Sequence, residues 1–340
     1  MTSAESRPHT PWRGAVKKTA LGIVLLLIVA ALADGLVLAQ VRVDPWQFGV
    51  LLAATALVLG AFVALTDGGV VRGLRRWAGK SRLAALGMPL VLLAPYLIYA
   101  LGTRTFSFLA ALRLAAYLVA PAAVLLPDRH GHRETANWRD WAAMAAVAVP
   151  IPAGWLNNIW TWPQELYFFL PLTAVCSGVY SFVALRGLQD VGYTLFWRKA
   201  DVATGLASWI AFTLLAIPLG YALHFIHFHA DPVSFAQLGG TFAGIYLTIA
   251  IPEELFFRGI LQNLLEKSIR RGPRGRYGLV AASAIFGASH FHHPPVPNWR
   301  YCIMATLAGI FYGTAYQMRR RISSSALTHA MVDTLWHFWF

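Results

Sequence analysis

The sequence predicts an all-α protein, a polytopic bundle of transmembrane helices with about 10–11 membrane segments and its N-terminus inside the cell. Three observations lead to this prediction. Of the 340 residues, 57% are hydrophobic and only 13% are charged, whereas soluble proteins carry about 25% charged residues. Apolar runs of near-spanning length recur along the whole chain. Basic residues cluster on alternate loops between those runs.

The N-terminal stretch, residues 1–18, is polar and basic and is predicted to be a disordered cytoplasmic tail. The apolar run that follows, near residues 19–40, exceeds the core of a cleaved signal peptide and is predicted to be the first spanning helix. The short run near Gly278–Phe291 suits a half-helix buried in protein. The remaining segments are predicted near Trp46–Leu65, Ala84–Leu101, Phe106–Leu126, Trp141–Leu156, Tyr167–Leu185, Ala203–Phe228, Phe235–Leu255, Tyr301–Met318 and Ile322–Phe340.

Loop charges predict the orientation, because basic residues mark cytoplasmic loops. The predicted outer loops hold only Arg42, Arg104 and Arg300. This alternation explains the net charge of +13 by membrane topology, so we predict the lipid bilayer of the cell membrane as a partner and no nucleic acid. The predicted inner loops hold Arg72, Arg75, Arg76, Lys80, Arg82, Arg129, Arg133, Arg139, Arg186, Arg198, Lys199, Lys267, Arg270, Arg271, Arg274, Arg276, Arg319, Arg320 and Arg321.

Two regions follow from the distribution of polar residues within the apolar runs. Residues 19–200 are predicted to form an N-terminal membrane region to which the sequence assigns no role. Residues 201–340 are predicted to form a membrane core, and its part from 235 to 340 carries three polar motifs.

The three motifs place ionisable groups inside apolar runs, where each charge costs about 2.5–3.5 kcal/mol on insertion scales. Counted from the nearest basic cluster at about 1.5 Å per residue, all three lie at mid-membrane depth. We therefore predict that they meet in one site buried among the helices. The site residues are Glu253, Glu254, Arg258, His290, His329 and Asp333.

The spacing of these residues predicts their partners. Glu254 and Arg258 are four residues apart, so they share a helix face and can pair. Glu253 points about 100° away and lacks a cation on its own helix, which makes it the candidate base. His329 and Asp333 are also four apart, so the aspartate can accept a hydrogen bond from the imidazole and orient it.

This set of residues suits the activation of water against a carbonyl group. The same set suits a zinc ion held by Glu253, His290 and His329, although the helical zinc-protease signature H-E-x-x-H is absent. We assign no cofactor here and keep zinc as the alternative. Two non-hydrolytic alternatives also stay open, a partner-binding membrane scaffold and a proton-coupled transporter.

The motifs E-E-L-F-F-R (Glu253–Arg258), F-G-A-S-H (Phe286–His290) and H-A-M-V-D (His329–Asp333) resemble the three motifs of the CPBP family of intramembrane proteases. These proteases comprise the type II CAAX prenyl endopeptidases and the bacteriocin-processing, or Abi, proteins. The order of the motifs matches, and the resemblance covers about the last third of the chain. Family members carry either asparagine or aspartate at the position of Asp333.

The resemblance implies an endopeptidase that cleaves a membrane-associated protein or peptide, such as a prenylated CAAX-type substrate. It implies that Glu253 activates water with help from His290, and that Glu254 and Arg258 support the site. His329 and Asp333 would stabilise the oxyanion. Because an ionised aspartate cannot donate a hydrogen bond, Asp333 is expected either to be protonated or to orient His329. Family members have also been described as metalloproteases, which is the metal-dependent alternative to water activation by glutamate alone. A non-enzymatic immunity protein that keeps the site is the remaining alternative.

Overall fold

The computed structural model describes residues 42–129, 134–162, 168–269 and 274–340, and every regular element in these ranges is a helix. The predicted tail and first spanning helix lie outside the described residues. The helices are α1 (Pro45–Ala64), α2 (Gly68–Lys80), α3 (Arg82–Gly102), α4 (Phe108–Leu125), α5 (Trp138–Ala148), α6 (Phe169–Leu185), α7 (Lys199–Ala222), α8 (Phe235–Ser268), α9 (Arg274–Ala288), α10 (Trp299–Arg319) and α11 (Ile322–Trp339).

The all-α class and the membrane assignment are confirmed. Among the described residues, 5 helices are long and apolar enough to cross a membrane, namely α1, α3, α4 (extended to Asp128), α7 and α8. The apolar helix α6 is shorter than these. The total of about 10–11 segments, the inside position of the N-terminus and the boundary at residue 200 stay predictions.

Two segments differ most from their predicted bounds. The segment predicted near Trp141–Leu156 is the 11-residue helix α5, which ends at Ala148. Turns follow, because Pro150 and Pro152 cannot continue a helix and Gly154 has a positive φ of 70°. Conversely, the segment predicted to end at Leu255 continues to Ser268 as the 34-residue helix α8.

The core joins the two predicted regions. A large buried cluster combines α1, α3, α4 and α6 with residues of α8 and α11, and a smaller cluster lies between α7, α9, α10 and α11. Both clusters contact Phe257 of α8. The motif helices are therefore held from both sides by apolar packing.

A buried ionic cluster fixes the start of α11. The carboxylate of Asp201, at the start of α7, is fully buried. It accepts hydrogen bonds from Arg321 Nε at 2.8 Å and Arg319 Nε at 3.3 Å. One turn further along α7, the Gly205 carbonyl accepts a hydrogen bond from Thr328 Oγ1 of α11 at 3.2 Å. Because helices in membranes pack through such small and hydroxyl-bearing residues, α7 holds α11 at a defined rotation.

Candidate active site

Helix α8 provides the frame of the site. Ser234 caps its first turn, where Ser234 Oγ accepts from Gln237 N at 3.3 Å. The helix is π-helical over Tyr246–Ala250 and Leu255–Gln262, on both sides of the α-helical turn Ile251–Glu254. Pro252 has no backbone donor, which accounts for irregular hydrogen bonding here, and π-helical turns inside α-helices are frequent at functional sites.

Glu254 is the centre of the site. Its side chain is 0% exposed, and its Oε1 lies 3.1 Å from Arg258 Nη1, so the predicted pair within α8 forms. The same Oε1 lies 2.9 Å from His329 Nδ1 on α11. A buried carboxylate of this kind persists only when it is paired, and here a single oxygen serves an arginine and a histidine. Glu254 therefore links the first motif directly to the third.

Arg258 is held by aromatic rings as well as by Glu254. Its Nη2 donates to the Gly309 carbonyl of α10 at 3.2 Å. Its guanidinium carbon lies 4.5 Å from the ring centroid of Phe286 and 5.4 Å from that of Tyr312. These are cation–π distances. Arg258 thus joins α8, α9 and α10 around one charge.

Glu253 differs from its neighbour in accessibility. Its side chain is 38% exposed, and its Oε2 lies 4.0 Å from His329 Nε2. Asp333 Oδ2 lies 3.3 Å from the same nitrogen and its side chain is 34% exposed. Both nitrogens of His329 therefore face carboxylates, Glu254 on the buried side and Asp333 with Glu253 on the accessible side. An imidazole protonated at both nitrogens can donate to both sides.

Tyr312 is a site residue that the sequence reasoning missed. Its ring is buried and stacks on the His329 ring, with centroids 4.6 Å apart and an interplanar angle of 18°. Phe286, the first residue of the second motif, lies edge-on to His329 at 5.9 Å. These two rings and the flanking carboxylates fix the plane of the imidazole. No residue pattern within α10 marks Tyr312, because its contact with His329 is made between helices.

His290 stands apart from the ion-paired group. Its Nδ1 lies 2.8 Å from the Phe286 carbonyl, and its ring packs on Tyr301 with centroids 4.6 Å apart. Within the described ranges it makes no hydrogen bond or ion pair with Glu253, Glu254, His329 or Asp333. The Phe286 ring, 4.8 Å from His290, connects it to the others. The structure therefore brings five of the six predicted site residues into direct contact, and His290 lies one ring away.

The zinc alternative requires ligands that converge on one point. Among the residues that the structure describes, no group of three or more His, Cys, Asp or Glu side chains is arranged to hold a metal ion. Glu253, His290 and His329 do not converge, because Glu254 and Asp333 engage the two nitrogens of His329 and His290 Nδ1 faces a backbone carbonyl. This arrangement does not fit a zinc site, which needs several ligands pointing at one centre.

A comparison with known proteins matches the region of the chain that carries the three motifs. Residues 236–335 match the family model described as type II CAAX prenyl endopeptidase Rce1-like. Neither a curated protein nor a solved structure matches the chain. The matched residues run from the start of α8 into α11 and include every predicted site residue. The chain is therefore a multi-pass membrane protein whose residues 236–335 are similar to the Rce1-like type II CAAX prenyl endopeptidases, as its three motifs predicted.

Proposed function

We propose that the protein is an intramembrane endopeptidase that hydrolyses a peptide bond of a membrane-associated, prenylated CAAX-type substrate with water activated by Glu253. One observation carries the proposal. Of two adjacent carboxylates, Glu254 is buried and paired, whereas Glu253 is accessible and lies 4.0 Å from a histidine fixed by other groups. An accessible base beside a positioned donor is the arrangement that peptide hydrolysis needs.

Glu253 acts first as the general base. Its carboxylate takes a proton from a water molecule, and the water oxygen attacks the carbonyl carbon of the scissile peptide bond. The carbonyl oxygen becomes an oxyanion in the tetrahedral intermediate. As the carbon–nitrogen bond breaks, Glu253 returns the proton to the leaving amine. The carboxylate is regenerated and one water molecule is consumed.

His329 is the proposed donor to the oxyanion through Nε2. Asp333 accepts from the same nitrogen in the substrate-free enzyme, at 3.3 Å, and so keeps the ring turned toward the accessible side. Asp333 is therefore assigned to orienting His329, since an ionised carboxylate has no proton to donate to an oxyanion. Glu254 holds the opposite nitrogen at 2.9 Å and balances the positive charge of the imidazolium.

Arg258 and His290 have supporting roles in this proposal. Arg258 fixes Glu254, and its contacts with Phe286 and Tyr312 keep the carboxylate from rotating out of reach of His329. His290 lies at the accessible end of α9 beside Tyr301. It is proposed to assist Glu253 by hydrogen bonding to the attacking water when substrate is bound.

The test is cleavage by purified protein in liposomes. Prenylated CAAX peptides and the same peptides without the lipid are offered to the wild type, Glu253→Ala and His290→Ala, each with and without a chelator. We expect the wild type to cut the prenylated peptides, Glu253→Ala to be inactive, and His290→Ala to be strongly impaired. Cleavage that survives Glu253→Ala would contradict the proposal. Loss of cleavage with chelator and recovery with zinc would replace the mechanism by the metal-dependent one.

A further inference from the structure

Helix α2 connects two helices that are long and apolar enough to span the membrane. It begins four residues after the spanning helix α1 ends at Ala64, and the spanning helix α3 begins two residues after α2 ends. Asp67 caps it, because Asp67 Oδ1 accepts from Gly69 N at 2.7 Å and from Val70 N at 2.9 Å. A capped helix between two spans must lie where both spans leave the bilayer.

Arg75 attaches this helix to the rest of the protein. Its Nε donates to the Ala184 carbonyl at 3.0 Å and its Nη2 to the Val183 carbonyl at 2.7 Å. These carbonyls belong to the last turn of α6, where helix carbonyls lack partners in their own helix. Val71, Leu74 and Ala78 pack on the core from the same face of α2. The rotation of α2 about its axis is therefore fixed.

The opposite face of α2 is basic and exposed. Arg72, Arg76 and Lys80 follow one another at four-residue steps, so they lie along one face, and each is exposed. None of the three forms an ion pair with an acidic side chain in the part of the chain that the structure describes. Lys80 Nζ lies 4.7 Å from the ring centroid of Trp77. Three positive charges are thus presented together without an acidic partner among the described residues.

An apolar edge runs beside the basic face. Val70 and Trp77 are seven residues apart and share one side of α2, with 40% and 49% of their surfaces exposed. Leu83, at the start of α3, is 82% exposed. A helix with a basic face, an apolar side and an interfacial tryptophan is typical of helices that lie in the plane of the headgroups.

We propose that α2 lies in the membrane interface and that Arg72, Arg76 and Lys80 bind the headgroups of anionic phospholipids. Charge complementarity identifies this partner, because basic residues beside a membrane are attracted to anionic lipid. The apolar edge identifies the source of the anion as a lipid, since Val70, Trp77 and Leu83 need the acyl boundary to cover them. The bound lipid would fix the α1–α3 end of the protein to one leaflet.

The test measures lipid binding at Trp77, and it needs no catalytic activity. The protein is placed in liposomes with dibrominated phosphatidylglycerol or dibrominated phosphatidylcholine, whose bromines quench nearby tryptophan. The Trp77 signal is the difference between the wild type and Trp77→Phe. Because each basic residue near anionic lipid contributes about fivefold in binding, we expect at least about tenfold stronger relative binding of phosphatidylglycerol.

Two triple variants distinguish an effect of α2 on lipid binding from an effect of the protein's net charge. Changing Arg72, Arg76 and Lys80 to Gln together should bring the ratio of phosphatidylglycerol to phosphatidylcholine binding at Trp77 close to one. Changing the exposed Arg42, Arg104 and Arg300 to Gln removes the same charge from positions outside α2 and should leave the preference unchanged. Equal quenching by the two lipids in the wild type would overturn the proposal, as would an equal loss in both triple variants. Exposed substitutions of this kind alter stability little, and thermal unfolding of each variant verifies this.

Discussion

Removing the charge of Arg258 should destabilise the protein more than removing the charge of any exposed arginine. In Arg258→Gln the buried Glu254 keeps only His329 as a partner, because the ion pair at 3.1 Å is lost. Breaking a buried pair by removing one member costs about 3–5 kcal/mol. The loss of the cation–π contact with Phe286, at 4.5 Å, adds about 0.5–2 kcal/mol. We therefore expect the free energy of unfolding to fall by about 3.5–7 kcal/mol.

The assay is reversible unfolding in mixed micelles titrated with denaturing detergent. Arg76→Gln is the matched control, since Arg76 is exposed and should change stability by less than about 0.5 kcal/mol. The double variant Arg258→Gln with Glu254→Gln removes the unpaired charge and should recover at least about 1 kcal/mol of the loss. A decrease below about 1 kcal/mol in Arg258→Gln, or no recovery in the double variant, would show that Glu254 does not depend on this arginine.

Substitutions at three further positions test the surroundings of His329 and Arg258. Tyr312→Ala should lower the free energy of unfolding by about 3–5 kcal/mol, whereas Tyr312→Phe keeps the stacked ring and should stay within about 1 kcal/mol; unfolding titrations of both decide, and equal losses would contradict a role for the ring. Asp333→Ala should slow peptide cleavage by about 10–100-fold, because a charged hydrogen bond of about 1.5–3 kcal/mol to His329 is lost. Asp333→Asn keeps an acceptor and should retain most of the rate, so equal rates in the two variants would oppose the orienting role. Gly309→Val should cost about 1–3 kcal/mol by overpacking, since a Cβ there would lie 3.3 Å from Arg258 Nη2; a thermal unfolding midpoint equal to the wild type would show that the contact can relax.

The pairs within a helix could be predicted from the sequence. Residues four apart on a helix lie on one face whatever the tertiary structure, so Glu254–Arg258 and His329–Asp333 followed from spacing alone. The convergence of the first and third motifs also followed, from equal depth in an apolar environment. Depth restricts position along the membrane normal, and a buried charge needs a partner, so the helices that carry the charges had to meet.

Contacts between helices could not be predicted in this way. The bond from His329 to Glu254 rather than to Glu253 alone depends on the rotation of α11 against α8, which the Asp201 cluster and the Thr328–Gly205 contact help to fix. The π-helical turns of α8 shift the face on which later residues lie. Pro252 predicts an irregularity in the helix, but it does not specify that the turns extend over Tyr246–Ala250 and Leu255–Gln262. The stacking of Tyr312 on His329 likewise depends on the packing of α10.

The role of Glu253 is the central claim, and Glu253→Gln tests it most directly. The variant is purified in liposomes beside the wild type, and cleavage rate on a prenylated CAAX peptide and unfolding midpoint are measured on the same sample. Because Glu253 is 38% exposed, the substitution should leave the midpoint unchanged. Loss of a general base should lower the rate by about 10²–10⁴-fold. A Glu253→Gln rate within threefold of the wild type would contradict water activation by this residue.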